Sequence, residues 1–182
     1  QQQKTHSNLK LILVPRHVER AREIASWLTC RLQQPDACHV PWYYRSKLTD
    51  QASQLSGNSF ILLVDVTGEL AAWWALATMA FVGGSLDGVR GGQNMLEPAA
   101  YGVAVCFGPY TRNFRTEVSE LLKAEAAIVV HDGTELTNFV TQCLNDPAYC
   151  RMIGTRAQKL IEKNQGGTRL TALRILDFLP AI

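Results

Sequence analysis

The sequence predicts an α/β fold built on parallel β-strands with helices on both faces. Three observations carry this. Short apolar runs of strand character alternate with longer amphipathic segments over the whole chain; 47% of the 182 residues are hydrophobic; and glycine-rich turns follow directly on apolar runs. Parallel strands need crossover connections, these are right-handed, and the helices they contain cover the sheet on both sides. With 19% charged residues the chain is long enough for one sizeable core and has no signature of disorder, so one domain is expected.

The elements follow in order. Residues 9–14 predict a strand, and residues 19–32 an amphipathic helix with Ile24, Trp27, Leu28 and Leu32 on one face. Residues 33–36 form a loop, 39–44 a strand, 53–59 a second loop and 60–65 a strand. Residues 69–77 predict a buried helix and residues 79–82 a short strand of the kind buried in parallel sheets. A helix over 95–101 follows, with Glu97 in its first turn and Pro98 early enough to be tolerated. Strands over 104–107 and 127–130 flank a helix over 116–124, and helices over 136–145, 148–164 and 169–179 close the chain. The pattern is that of a Rossmann-like domain, without repeats or low-complexity segments.

Composition excludes several classes of function. A formal net charge of +2 and a pI near 8.3 are too mild for a nucleic-acid partner. Five cysteines, Cys30, Cys38, Cys106, Cys143 and Cys150, are an odd number without a C-x-x-C pair. That pattern suits reduced, structural thiols in a cytosolic compartment, with neither a disulfide framework nor a zinc site. His131 beside Asp132 reads as a loop pair rather than a ligand or base. No apolar run is long enough to cross a bilayer and no secretory leader is read, so a soluble or peripheral domain is expected. The residues Arg151, Arg156, Lys159 and Lys163 on one late helix offer either a solvated basic face or a contact with anionic lipid.

The stretch Phe81-Val82-Gly83-Gly84-Ser85, followed by Arg90-Gly91-Gly92-Gln93-Asn94-Met95-Leu96-Glu97-Pro98, is the most informative in the chain. Glycines here let the backbone approach a ligand at the carboxyl edge of a strand. Asn94 can accept a hydrogen bond from the amides of the next turn, and a helix start attracts an anion such as a phosphate. Glu97 can accept from both hydroxyls of a ribose diol, or it simply complements the helix dipole.

Four blocks in order then resemble one family. They are Leu13-Val14-Pro15-Arg16-His17-Val18-Glu19-Arg20, Asp65-Val66-Thr67-Gly68-Glu69-Leu70, the stretch from Phe81 to Pro98, and Phe107-Gly108-Pro109-Tyr110-Thr111-Arg112-Asn113-Phe114; the tail Asn164-Gln165-Gly166-Gly167 matches as well. The chain resembles the C-terminal half of a 3-deoxy-D-manno-octulosonic acid (Kdo) transferase, a GT-B glycosyltransferase that uses CMP-Kdo to build the inner core of lipopolysaccharide. It departs from the family at Gln93, where His is usual, at Thr67, where Met is usual, and at Thr78, where Asp is usual. Gln93 keeps hydrogen-bonding capacity but cannot become charged.

The resemblance implies that residues 1–182 are the CMP-Kdo binding domain, a fragment lacking the N-terminal domain that binds the lipid A precursor and supplies the catalytic base. No catalytic residue is then expected in this chain. Donor contacts carry over to Pro15 and Arg16, to Thr67, Gly68 and Glu69, to Gly83, Gly84, Gly91 and Gly92, and to Asn94, Met95, Leu96 and Glu97. Arg16 would meet the phosphate or the base, unless it is a surface ion pair with Glu19; residues 67–69 would turn amides toward the ligand, unless they are a plain helix cap. The implied reaction inverts the anomeric carbon. It needs no cofactor and no metal, since the chain has no D-x-D triplet to hold an ion on a sugar diphosphate. The whole protein would sit at the cytoplasmic face of the inner membrane through its N-terminal domain. Gln1-Gln2-Gln3-Lys4 reads as the end of a helix, and an uncovered seam left by a missing strand would allow a homo-oligomer. Two alternatives stay open: another GT-B nucleotide-sugar enzyme, such as a UDP-sugar transferase or epimerase, and a non-catalytic nucleotide-binding module.

Overall fold

A computed structural model describes residues 8–35, 37, 40–48, 55, 59–164, 174, 175, 177 and 178. The chain divides into two compact units, one ending at Trp73 and the other beginning at Trp74. In each unit three parallel strands are hydrogen-bonded side by side.

The first unit contains β1 (Lys10–Leu13), β2 (Trp42–Tyr44) and β3 (Phe60–Leu63) in the order β1-β3-β2. Lys10 stands opposite Phe60, and both Leu13 and Tyr44 stand opposite Leu63. The central strand β3 is buried along its whole length, as its unbroken Phe-Ile-Leu-Leu run requires. Its side chains alternate: Ile61 and Leu63 face a layer that includes Ala21, Ala25 and Leu28, whereas Phe60 and Leu62 pack with Tyr43, Leu55 and Trp73.

Helix α1 (Ala21–Leu32) follows a 3₁₀ turn over Val18–Arg20, and its buried stripe is Ala21, Ala25 and Leu28. Trp27 is 62% exposed and does not belong to that stripe. At about 100° per residue it lies a quarter-turn or more from Leu28, and the two small alanines let the helix approach the strands where a large ring would not fit. The expected buried helix over 69–77 is α2 (Leu70–Leu76), none of whose residues is fully buried; Leu76 is 72% exposed. Its run of apolar residues has no polar face to set its orientation, and apolar composition alone does not say whether another element covers it.

The second unit contains β4 (Met79–Val82), β5 (Ala104–Phe107) and β6 (Ala127–Val129) in that order, all parallel. Its helices are α3 (Leu96–Ala100), α4 (Arg115–Lys123), α5 (Gly133–Asn145) and α6 (Pro147–Asn164). The period-two pattern divides the core between the two faces. Val82, Val105, Phe107 and Ala127 meet Met95, Ala99, Val118, Leu121 and Ala157 on one side, and Ala104, Cys106 and Ile128 meet Phe139, Cys143, Cys150 and Ile153 on the other.

Helix α5 begins three residues before the sequence suggests, because Asp132 caps it: its Oδ1 accepts from the amides of Thr134 (2.8 Å) and Glu135 (2.9 Å). The Glu135 carboxylate reaches back to the amide and Nδ1 of His131, each at 2.8 Å. The partner of His131 is therefore Glu135 and not its neighbour Asp132. Asp146 caps α6 in the same way, accepting from Ala148 and Tyr149. Cys106, Cys143 and Cys150 are buried free thiols and Cys30 is an exposed one. Burial pushes the Cys106 thiol up to about 12, which suits a packing role. The expected helix over 169–179 falls mostly outside the described residues, as do residues 1–4, Cys38, His39 and most of the 53–59 loop.

Candidate functional site

In the first unit the carboxyl ends of the three parallel strands lie at one edge of their sheet. Pro15 and Arg16 follow β1, residues 45–47 follow β2, and residues 65–69 follow β3. The Arg16 side chain is exposed and forms no ion pair with Glu19 or any other described residue. Thr67 and Gly68 make an exposed turn before α2; Gly68 has φ +87°, a conformation that a residue with a Cβ adopts only under strain.

Glu69 is less free than its position suggests. The Arg45 guanidinium grips its carboxylate with two bonds, Nε to Oε2 and Nη2 to Oε1, both at 2.9 Å. Glu69 thus supplies backbone and structure to the turn, while its charge is matched within the unit. Asp65 accepts from the Ser46 amide at 2.8 Å and from the Ser46 hydroxyl at 2.5 Å. Burial alone would raise the Asp65 carboxyl, but the Ser46 hydrogen bonds, aided by the Lys47 charge, hold it below its usual range. These two clamps tie the turn after β3 to the turn after β2. The sequence reading missed Arg45, Ser46 and the role of Asp65. The available signal was a polar Arg-Ser pair placed directly after the aromatic strand residues Tyr43 and Tyr44.

In the second unit the chain leaves β4 at Gly83 and folds back on itself. The Gly92 amide donates to the Gly84 carbonyl at 2.8 Å and the Gln93 amide to the Gly83 carbonyl at 3.1 Å. Ser85, fully buried, anchors the start of this loop: its hydroxyl donates to the Val82 carbonyl and accepts from the Gly108 amide, both at 2.8 Å. A Cβ on Gly108 would stand 2.2 Å from the Ser85 carbonyl oxygen, so only glycine allows the turns after β4 and β5 to touch.

The far end of the loop is held from the 111–114 turn. Asn113 donates from Nδ2 to the Arg90 carbonyl at 2.9 Å and from its amide to the Gly91 carbonyl at 3.1 Å, and Arg112 Nη2 donates to the Val89 carbonyl at 2.7 Å. Gly91, at φ +76°, lies so close to the Arg112 side chain that an added Cβ would stand 2.5 Å from its Cγ. Gly84 and Gly92 share the left-handed conformation, whereas Gly83 is neither left-handed nor crowded.

Asn94 accepts from the Leu96 amide at 3.0 Å, as the sequence suggests, although the helix N-cap is Met95, and its Nδ2 donates to Glu97 Oε1 at 3.0 Å. Glu97 Oε2 also accepts from Trp74 Nε1 at 3.4 Å. The exposed Glu97 carboxylate is therefore oriented by two neutral donors, carries no matching cation among the described residues, and keeps acceptor capacity toward solvent. The Met95 side chain is fully buried and Leu96 packs against the same core, so both act as packing and offer a ligand only backbone. Helix α3 has five residues, too few to sum a large dipole, so its start is a weaker anion site than the sequence suggests.

Among the described residues no group of His, Cys, Asp and Glu is placed to hold a metal ion. An open groove of about 610 Å³ between α1 and β2, lined by Ala25, Cys30, Trp42 and Tyr44 among others, contains none of the strand-end candidates.

No protein-family model matches the chain. It is 30% identical over 169 residues, 93% of its length, to the 3-deoxy-D-manno-octulosonic acid transferase of Bordetella pertussis, and 33% identical over 142 residues to that of Aquifex aeolicus. It spans only 37% and 35% of the length of those relatives. In fold it matches the crystal structure of the C-terminal CMP-Kdo binding domain of WaaA from Acinetobacter baumannii, with a TM-score of 0.68 and 29% identity, over 82% of this chain and 72% of that one.

Proposed function

We propose that this chain, a relative of the 3-deoxy-D-manno-octulosonic acid transferases in sequence and fold, is the donor-binding domain of such an enzyme and holds CMP-Kdo. The observation that carries the reading is the fold match to a domain named for that ligand, at 29% identity over 82% of the chain. The strand-end turns supply suitable chemistry. Arg16, which has no ion pair among the described residues, offers its guanidinium to a phosphate or cytosine edge, and the Thr67 to Glu69 turn offers backbone at the end of another strand of the same sheet. Glu97, pre-oriented by Asn94 and Trp74, accepts from the ribose diol, and Gly83, where an added Cβ would meet open space, lets the backbone come close, whereas Gly84, Gly91 and Gly92 shape the loop against its own neighbours.

In the whole protein a base outside this chain removes a proton from the lipid A precursor. That hydroxyl attacks the anomeric carbon with inversion, and CMP departs. Arg16 steadies the departing phosphate, which carries less charge than a diphosphate would, so we propose that no metal and no cofactor take part. The acceptor site belongs to another part of the protein, at the cytoplasmic face of the inner membrane. No helix among the described residues is long and apolar enough to cross a membrane.

Calorimetric titration of the chain with CMP, UMP and UDP tests the reading. Binding of CMP ahead of both uridine nucleotides is the expected result. A preference for UDP would assign the chain to UDP-sugar chemistry instead.

A further inference from the structure

The donor just proposed carries two anionic groups, the phosphodiester and the carboxylate of the sugar acid. Arg16 is assigned to the nucleotide side. The second anion needs its own cation, and buried or committed guanidinium groups cannot serve. Arg45 is paired with Glu69, while Arg112 keeps its charge but donates from Nη2 to the Val89 carbonyl and packs its side chain against Gly91, so it serves as a strut of the loop.

Arg90 differs. Its side chain is 56% exposed and its nearest acidic partner, Asp87 Oδ2, is 3.8 Å from Nη1, beyond hydrogen-bond reach. Its Cβ lies against Gly84, at the turn that ends β4: a Cβ built on Gly84 would be 3.5 Å from it and 3.3 Å from Gln93 Nε2. The backbone beneath it is fixed, since the carbonyls of Val89, Arg90 and Gly91 all accept bonds from Arg112 or Asn113. A guanidinium held on a rigid loop, beside a glycine turn and with its charge only loosely matched, is pre-organised for a planar carboxylate.

We infer that Arg90 recognises the carboxylate of the sugar acid, with Gln93 as a neutral donor beside it. Asp87 is the internal stand-in that the ligand's carboxylate displaces. This inference rests on the reading of the chain as a CMP-Kdo binding domain. It assigns to Arg90 the discrimination between CMP and CMP carrying the acidic sugar.

The test is calorimetry of the full chain with CMP and with CMP-Kdo. Arg90→Ala should weaken CMP-Kdo by about tenfold to a hundredfold, the range of one charge-assisted bond, and shift CMP by less than about twofold. Arg90→Lys should recover part of the loss, and Asp87→Asn should tighten CMP-Kdo without tightening CMP, because it removes the competing carboxylate. Retained CMP binding shows in each case that the variant is folded. Equal losses for both ligands, or no loss for either, would overturn the assignment of Arg90. Failure of the wild-type chain to bind CMP at all would instead overturn the reading on which the assignment rests.

Discussion

Glu97 is the residue whose chemistry is most narrowly constrained. Two neutral donors orient its carboxylate without cancelling its charge, so a ribose diol would find two acceptor oxygens already placed. Glu97→Ala should weaken CMP by about tenfold to a hundredfold, and deoxycytidine monophosphate should be penalised in the wild type but far less in the variant. Equal affinity of the wild type for the ribo and deoxy nucleotides would remove Glu97 from the ribose. At Arg16, which has no ion pair among the described residues, the change to Ala should cost a similar factor and the change to Lys should restore only part, since an ammonium cannot reproduce a planar fork. The sequence singles out both residues, Arg16 just after a strand and Glu97 in the first turn of a helix. Arg45 and Asp65 were not legible there, because their partners, Glu69 and Ser46, are 24 and 19 residues away and only strand order brings them together.

At the scale of elements, the parallel strands were readable from apolar runs and the helices from their spacing. The errors have specific causes. Trp27 was judged by size when Ala21 and Ala25 set the contact, and α5 was started at its first apolar residue when its beginning is fixed by the Asp132 cap. The loop after β4 depends on Ser85. Ser85→Ala would leave the Gly108 amide buried without a partner, and an orphaned donor costs about 1–3 kcal/mol, so the denaturant midpoint should fall by a corresponding amount. An unchanged midpoint would show that the loop finds another bond. The clamp between the turns after β2 and β3 sets a pH dependence. The Asp65 carboxyl is held below its usual value, so its contribution is present above the unfolded value, about 3.9, and is lost as pH falls through the folded one. Ser46→Ala removes the hydroxyl bond, the stronger of the two Ser46 bonds that lower it, and keeps the amide bond. Circular dichroism should then show acid unfolding beginning at a higher pH in the variant than in the wild type.

For the whole molecule, the decisive quantity is length. The chain spans 37% of the Bordetella pertussis relative, and its fold counterpart is a domain named for donor binding alone. Of the exposed carboxylates near the glycine loop, Glu97 accepts from Asn94 and Trp74, and Asp87 Oδ2 lies 3.8 Å from Arg90. A membrane-bound acceptor would also need a surface to meet. The basic residues of α6 do not provide a uniform one, since Arg156 is paired with Glu125 at 2.8 Å and Asn164 donates to Glu120 at 3.0 Å, which brings acidic groups onto the same helix face. Binding and transfer should therefore separate. Given CMP-Kdo and lipid A precursor in detergent, the 182-residue chain should bind the nucleotide by calorimetry yet form no Kdo-bearing lipid detectable by mass spectrometry. Joining to it the segment that precedes the matching region in a longer relative should restore transfer. Lipid product from the chain alone would place a base within these residues, and Asp87 would then be the first group to mutate.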